Sequence, residues 1–360
     1  MRFPEFTEEW KAEQLDNIAT LSKGIGISKE QLSEDGEPCI LYGELYTKYK
    51  SEIIKQVESK TDINGSKLKR SKANDVIIPC SGETAVDIAT ARCVPFDNIL
   101  FGGDLNVISL HQYDGAFMSY QLNGKRKYDI ARVAQGVSIV HLYGEHLKAI
   151  KTYNPTLPEQ QKIAKLLSLL DDRIDTQNKI IEDLKKLKSA IIDQLYSAIK
   201  GKGYSYRQIF EIVNERNKQL EYSNILSASQ EKGMVNREDL NLDIQFERSN
   251  INTYKVVRKG DYVIHLRSFQ GGYAFSDKIG VCSPAYTILR PNDLLEFRYL
   301  SYYFTSQKFI KSLIIVTYGI RDGRSINVEE WLDMKTTIPQ KEQQRHICLL
   351  YTSDAADDKA

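Results

Sequence analysis

The sequence predicts an α+β protein built from two tandem copies of one domain, each followed by a long helix that carries a coiled-coil seam. Three observations predict it. Short β-type runs fill both halves, a single helical segment over residues 158–199 lies between them, and the turns and helix start of the first half recur in order in the second. The chain has 360 residues, more than one domain of roughly 100–200 usually holds.

In the first half the β-type runs include Pro38-Cys39-Ile40-Leu41-Tyr42, Asp75-Val76-Ile77-Ile78-Pro79 and Asn106-Val107-Ile108-Ser109-Leu110, separated by Gly, Asn, Asp and Ser. The helix opens at Asn154-Pro155-Thr156-Leu157-Pro158-Glu159-Gln160-Gln161, with proline in the first turn and acidic and amide side chains facing the free N–H groups. Ile163, Leu167, Leu170, Ile174, Ile181, Leu184, Ile191 and Leu195 then recur in steps of mostly four and three, a heptad seam interrupted at Gln177 and Lys188. At 1.5 Å per residue the segment is on the order of 60 Å long, and Gly201 and Gly203 end it. Such a helix needs a long partner; an ordinary core helix is the alternative. In the second half, Asp261-Tyr262-Val263-Ile264-His265 and Ala285-Tyr286-Thr287-Ile288-Leu289 read as strands.

The halves are copies. Lys72-Ala73-Asn74-Asp75-Val76-Ile77-Ile78 parallels Arg258-Lys259-Gly260-Asp261-Tyr262-Val263-Ile264, and Gln135-Gly136-Val137-Ser138-Ile139 parallels the run from Gly319 to Ile326. Leu157-Pro158-Glu159-Gln160-Gln161-Lys162-Ile163 recurs as Ile338-Pro339-Gln340-Lys341-Glu342-Gln343-Gln344-Arg345-His346-Ile347. The expected domains are therefore residues 1–155, a spacer helix over 156–202, a second domain over 203–337, and the start of a second helix over 338–360. The stretch from Cys348 to Ala360 lacks a heptad pattern, so this second helix is read as truncated, leaving the first seam to seek cover elsewhere.

Composition excludes several classes. With 41% hydrophobic and 27% charged residues the chain is too apolar to be disordered. No run reaches the ~20 apolar residues of a membrane span and the start lacks a signal-peptide core, so a cytoplasmic protein is expected. Cys39, Cys80, Cys93, Cys282 and Cys348 form no CxxC pair and read as free thiols. The net charge of +1 is neutral on partners, whereas 21 tyrosines suit either wet recognition surfaces or the edges of a mixed core.

Two similar heads held apart by a helix of fixed length make a caliper, and duplex DNA repeats its groove every ~34–36 Å. Heads that share a frame but differ in sequence suit a split, asymmetric target. The order of head, Pro-Glu-Gln-Gln helix, divergent head and Pro-Gln-Lys-Glu-Gln-Gln helix resembles the specificity subunits of type I restriction-modification systems over nearly the whole chain. Leu41-Tyr42-Gly43-Glu44-Leu45-Tyr46-Thr47-Lys48-Tyr49 is similar to that family's Tyr-Gly-Asp-Leu-Tyr-Thr segment, and Ser81-Gly82-Glu83-Thr84 to its Ser-Ser-Gly-Glu-Thr turn. The resemblance implies two target recognition domains that bind double-stranded DNA, and an antiparallel coiled coil that docks two methyltransferase subunits. It also implies restriction subunits with a motor, and it puts S-adenosylmethionine, ATP and magnesium on those partners and none on this chain.

Family heads approach DNA with loops, so polar and aromatic loop residues are the candidates. In the first head these are Tyr46, Lys48 and Tyr49, then Ser81, Glu83 and Thr84, and Gln135 and Ser138. In the second they are Arg267, Ser268 and Gln270, then Tyr318, Arg321 and Arg324. Lysines and hydroxyls position phosphates, arginine reads guanine, glutamine pairs with adenine and a carboxylate accepts from cytosine N4. Two basic clusters, Lys67, Lys69, Arg70 and Lys72, and Lys125, Arg126 and Lys127, offer phosphate contacts or ordinary surface charge.

Catalytic chemistry is not legible. Gly124-Lys125 lacks the rest of a phosphate-binding loop, Asn154-Pro155-Thr156-Leu157 fails as an adenine methyltransferase motif, and Phe101-Gly102-Gly103-Asp104 reads as a turn. His111, His141, His146, His265 and His346 have no metal-ligand spacing. The rival reading is a two-headed protein scaffold spaced by a coiled coil; a nuclease assembled from scattered carboxylates is a distant third.

Overall fold

The computed structural model describes residues 2–229, 232–240, 248–265, 272–318 and 325–352. The chain forms two compact units, Met1–Lys179 and Ile180–Ala360, each a mixed α/β body. The boundary falls within the long helix Leu157–Ser197, which runs for 41 residues and is nearly the helix expected over 158–199.

Each unit is built on an antiparallel four-stranded sheet with one shared order. In the first it runs Ala19–Lys23, Leu105–Leu110, Asp75–Pro79, Arg92–Val94; in the second, Phe210–Val213, Thr287–Pro291, Tyr262–Ile264, Tyr273–Phe275. The run Asp75–Pro79 is apolar throughout its centre because it is buried on both faces. Successive side chains alternate, so Val76 and Ile78 enter a core with Leu15, Met118 and Leu142, while Ile77 enters another with Ile40, Phe101 and Val107. Tyr262 and Ile264 against Val263 repeat that division in the second unit. There Tyr206 stacks on Trp331 with centroids 4.3 Å apart, and both are buried.

The turn that feeds this strand explains one of the repeated motifs. In the first unit the Asp75 carboxylate accepts the Lys72 N–H at 2.8 Å, and in the second Asp261 accepts the Arg258 N–H at 2.8 Å. The residue before each aspartate lies in the left-handed region, Asn74 at φ 81° and Gly260 at φ 98°. Gly and Asn are the residues that enter that region at least cost, which is why they alternate here.

A two-stranded ribbon closes each unit at the start of its helix: Lys11–Gln14 with Lys151–Asn154, and Lys202–Ser205 with Lys335–Ile338. The strand that opens each unit thus pairs with the strand that leads into the following helix, Leu157–Ser197 or Lys341–Thr352. Residues 353–360 lie outside the described residues.

Candidate nucleic-acid interface

In the first unit the two short motifs meet. Within Tyr42-Gly43-Glu44-Leu45-Tyr46, Glu44 is a buried carboxylate that accepts the Leu41 N–H at 2.9 Å and the Ser59 hydroxyl. It ties the turn down, and Leu45 anchors it in the core. The Tyr46 hydroxyl reaches 35 residues along the chain to donate to the Ser81 carbonyl at 3.1 Å, and burial pushes its phenol above the ordinary range. Ser81–Gly82 in turn pairs with Val140–His141, and Ser81 Oγ lies 3.4 Å from His141 Nδ1. A Cβ on Gly82 would meet Tyr46 Oη at 3.0 Å and Ile88 Cβ at 3.2 Å, so the backbone approaches closely here.

These segments line an open cleft of about 700 Å³. Of the residues singled out in the sequence, Tyr46, Ser81, Glu83 and Ser138 line it. Thr84 sits beside it as the cap of the helix Ala85–Ile88, accepting the Asp87 N–H at 3.1 Å and donating to Asp87 Oδ2 at 2.7 Å. Gln135 opens the hairpin whose tip holds Ser138; its N–H and carbonyl pair with His141 at 2.9 and 2.7 Å, and its side chain lies 3.5 Å from His146 Nε2. Gly136, at φ 126°, makes the turn possible.

Two of the expected residues stand apart. Lys48 is held by Glu44 at 2.7 Å and by Ser59 at 2.6 Å and lines a neighbouring depression. Tyr49 is a core residue instead of a surface reader: its ring packs with Ile40, Leu45 and Ile54, and its buried hydroxyl has no hydrogen-bond partner among the described residues. The helix Glu44–Thr47 carries Tyr46 on its exposed side and ends before Tyr49, which alone of residues 46–50 is buried.

The cleft also contains residues the sequence reading passed over, Tyr42, Asp87, Thr90, Arg92 and Ile139. A usable signal was present for one of them: Val137 and Ile139 flank Ser138 in a glycine-bounded turn and are 97% and 60% exposed. Beside the hairpin, Tyr143 stacks on His141 at 6.2 Å, and Lys23 lies 5.5 Å over its ring.

In the second unit the strands Thr317–Tyr318 and Ser325–Ile326 form the equivalent hairpin, with Tyr318 in register with Ser325. Its connecting residues, which include Arg321 and Arg324, lie outside the described residues, as do Arg267, Ser268 and Gln270. The basic clusters are partly neutralised at home: Arg70 makes a two-pronged ion pair with Glu37 at 2.6 and 3.0 Å, and Arg126 pairs with Asp129 at 2.9 Å.

On the long helix, Leu170, Ile174, Ile181, Leu184 and Ile191 are exposed, whereas Ile163, Leu167 and Leu195 are half-buried. Leu166, Leu169, Ile180 and Leu187 broaden the apolar stripe. Within the first unit Tyr120 donates to Asp171 at 2.5 Å and Lys55 pairs with Asp172 and Asp175. Within the second, Tyr196 packs on Tyr299 and Tyr303 at 5.6 and 5.1 Å. Among the described residues no group of three metal-ligating side chains converges, and no helix is long and apolar enough to cross a membrane. Burial pushes the Cys39 and Cys80 thiols up to about 11 and those of Cys93 and Cys282 to about 12, where the nucleophilic thiolate is scarce at neutral pH.

Residues 7–186, half of the chain, match the family described as the type I restriction modification DNA specificity domain. The chain belongs to that family. The matched span holds the first unit from residue 7 onward and most of the long helix, including the cleft built around Tyr46 and Ser81.

The specificity subunit of the type I restriction enzyme MjaVIII from Methanocaldococcus jannaschii is 26% identical over 219 residues, which cover 58% of this chain. The chain spans about half of that relative, 47% of its length. Among solved structures, the type I restriction-modification S subunit of M. genitalium superposes with a TM-score of 0.56 at 16% identity, covering 95% of this chain and 88% of that one. A second, from work on complex assembly and conformational transition of the type I R-M system, gives 0.58 at 13% identity, covering 98% and 91%. At these identities the likeness is one of fold, and it extends to both units.

Proposed function

We propose that this chain is the non-catalytic, DNA-reading specificity subunit of a type I restriction-modification complex. Each unit reads one part of a split, asymmetric target, and the long helix docks methyltransferase subunits. Residues 1–155 and 203–337 act as the recognition domains, residues 156–202 as the spacer, and residues 338–360 begin the second helix. Partner subunits carry S-adenosylmethionine, ATP and magnesium and perform the methylation and cleavage; the complex works in the cytoplasm.

The observation that carries this reading is the open cleft in which Tyr46 and Ser81, from the two family-like motifs, come together with Ser138 of the duplicated turn, on a sheet that the second unit repeats. The differences between the two heads support the asymmetry of the target: the first copy has the apolar Val137 and Ile139 where the corresponding run of the second copy's sequence has Arg321 and Arg324. The exposed stripe through Ile174, Ile181 and Leu184 supports helix docking, since a soluble protein rarely leaves an extended apolar face uncovered.

The test is co-purification of the full chain with the products of its neighbouring genes, followed by mapping of methylated adenines and DNA titrations over a range of salt. One split, asymmetric methylated site and an affinity that falls steeply with ionic strength establish the reading, because each neutralised phosphate releases counterions. A chain that takes no methyltransferase partner and shows no salt-sensitive DNA binding refutes it in favour of the protein scaffold.

A further inference from the structure

The charged groups that line the first unit's cleft are Glu83, Asp87 and Arg92, and two of them are occupied. Asp87 accepts the Thr84 hydroxyl at 2.7 Å. Arg92, only 9% exposed, donates to the Tyr49 carbonyl at 2.9 Å and to the Ala91 carbonyl at 3.0 Å. Glu83 is exposed and has neither a hydrogen bond nor an ion pair with any described residue. It stands on a platform braced on several sides: the pairing of Ser81–Gly82 with Val140–His141, the Tyr46 hydroxyl on the Ser81 carbonyl, and the Thr84 cap. A free carboxylate on a rigid base is a poor contact for phosphate, which repels it. It is a good contact for an exposed amino group.

We propose that Glu83 selects a C·G pair in the half-site read by the first head, accepting a hydrogen bond from cytosine N4 in the major groove while Ile139 packs beside the pyrimidine C5 edge. The proposal rests on the DNA-reading function above. Two bases present an amino donor in that groove, cytosine at N4 and adenine at N6. Adenine sets its N7 acceptor next to the donor, where it meets the second carboxylate oxygen with like partial charge. Cytosine sets an apolar C–H there, which matches the exposed Ile139 that lines the same cleft.

The experiment selects binding sites from randomised duplexes with the full chain, bound to whichever methyltransferase subunits co-purify, comparing wild type with Glu83→Gln and Glu83→Ala. Because Glu83 is exposed and unpaired, both variants should fold as wild type does, which circular dichroism and thermal unfolding verify. Wild type is expected to require C·G at one position of one half-site by roughly 10- to 100-fold. Glu83→Ala should lose that preference, and Glu83→Gln should shift it toward A·T, since an amide pairs with adenine N6 and N7. The other half-site should be unchanged in both variants. Sequence profiles that are unchanged in both variants overturn the role of Glu83 while leaving DNA reading intact. Absence of sequence-selective binding by the wild type overturns both.

Discussion

Gln160 and Gln344 perform the same task in the two halves of the chain. Each is 1% exposed, and each donates from Nε2 to the carbonyl of the proline five residues earlier, Pro155 at 2.8 Å and Pro339 at 3.0 Å. Each accepts at Oε1 a backbone N–H from the body of its own unit, that of Asp114 at 2.9 Å and that of Glu296 at 2.8 Å. One side chain therefore fastens the first turn of each helix to the domain that precedes it. Gln160→Ala or Gln344→Ala leaves a buried donor and acceptor unsatisfied, so either should cost about 1–3 kcal/mol in denaturant unfolding. A drop in stability below about 0.5 kcal/mol in both variants would sink this account.

The buried Glu159 carboxylate accepts from Arg2 at 2.8 Å twice and from the Trp10 indole at 3.3 Å, and these hydrogen bonds hold it below the usual carboxylate range. A carboxyl whose native pKa is depressed contributes stability that is fully present above its unfolded pKa of about 4.3 and is lost as the pH falls through the native value. The denaturant midpoint of the wild type should therefore drop on acidification below about pH 5. Glu159→Gln should be less stable at neutral pH and flatter over that range; parallel pH profiles would rule the contribution out.

Tyr49 offers a clean separation of packing from recognition. Tyr49→Phe removes only a buried hydroxyl that has no partner among the described residues, and should leave both stability and DNA affinity unchanged or slightly raised. Tyr49→Ala empties the core and should cost about 3–5 kcal/mol. A selective weakening of DNA binding in the Phe variant would restore Tyr49 as a reader of the target.

The exposed seam predicts the opposite pattern. Ile174→Asp with Leu184→Asp alters two residues that are each 57% exposed, so stability should shift by no more than about 0.5 kcal/mol per site. Co-purification of methyltransferase subunits should nevertheless be abolished. Full retention of the partner by a folded double variant would move the docking surface elsewhere.

Reversal of Arg321 and Arg324 to glutamate should weaken specific DNA binding without unfolding the protein. If either guanidinium meets phosphate, the salt slope falls by about one for each phosphate that is no longer neutralised; if either reads guanine, discrimination at that position relaxes instead. Unchanged affinity and sequence preference in the double variant would remove this hairpin from the interface.

The duplication was readable from the chain, but its register was not. Matching like residues pairs Pro158 with Pro339, whereas the hydrogen bonds pair Pro155 with Pro339 and Gln160 with Gln344. Similar letters slide past one another in a short amide-rich motif; a buried amide with two fixed partners cannot. The same distinction separates Tyr46 from Tyr49, neighbours in a tyrosine-rich segment that differ in burial because the helix Glu44–Thr47 ends between them, so Tyr49 does not share the face that Tyr46 presents.

The sequence by itself determined what depends on near neighbours: the heptad stripe and its helix, the strands flanked by turn residues, the Asn74-Asp75 and Gly260-Asp261 turns, and the tandem order that marks the family. Tertiary structure alone decided which residues share a cleft. Tyr46 reaches Ser81 across 35 positions and Ser81 reaches His141 across 60, so no local period encodes the meeting. It is set by the sheet between them, whose buried strand Asp75–Pro79 carries Ser81 out of the core, where the strand Val140–His141 pairs with it.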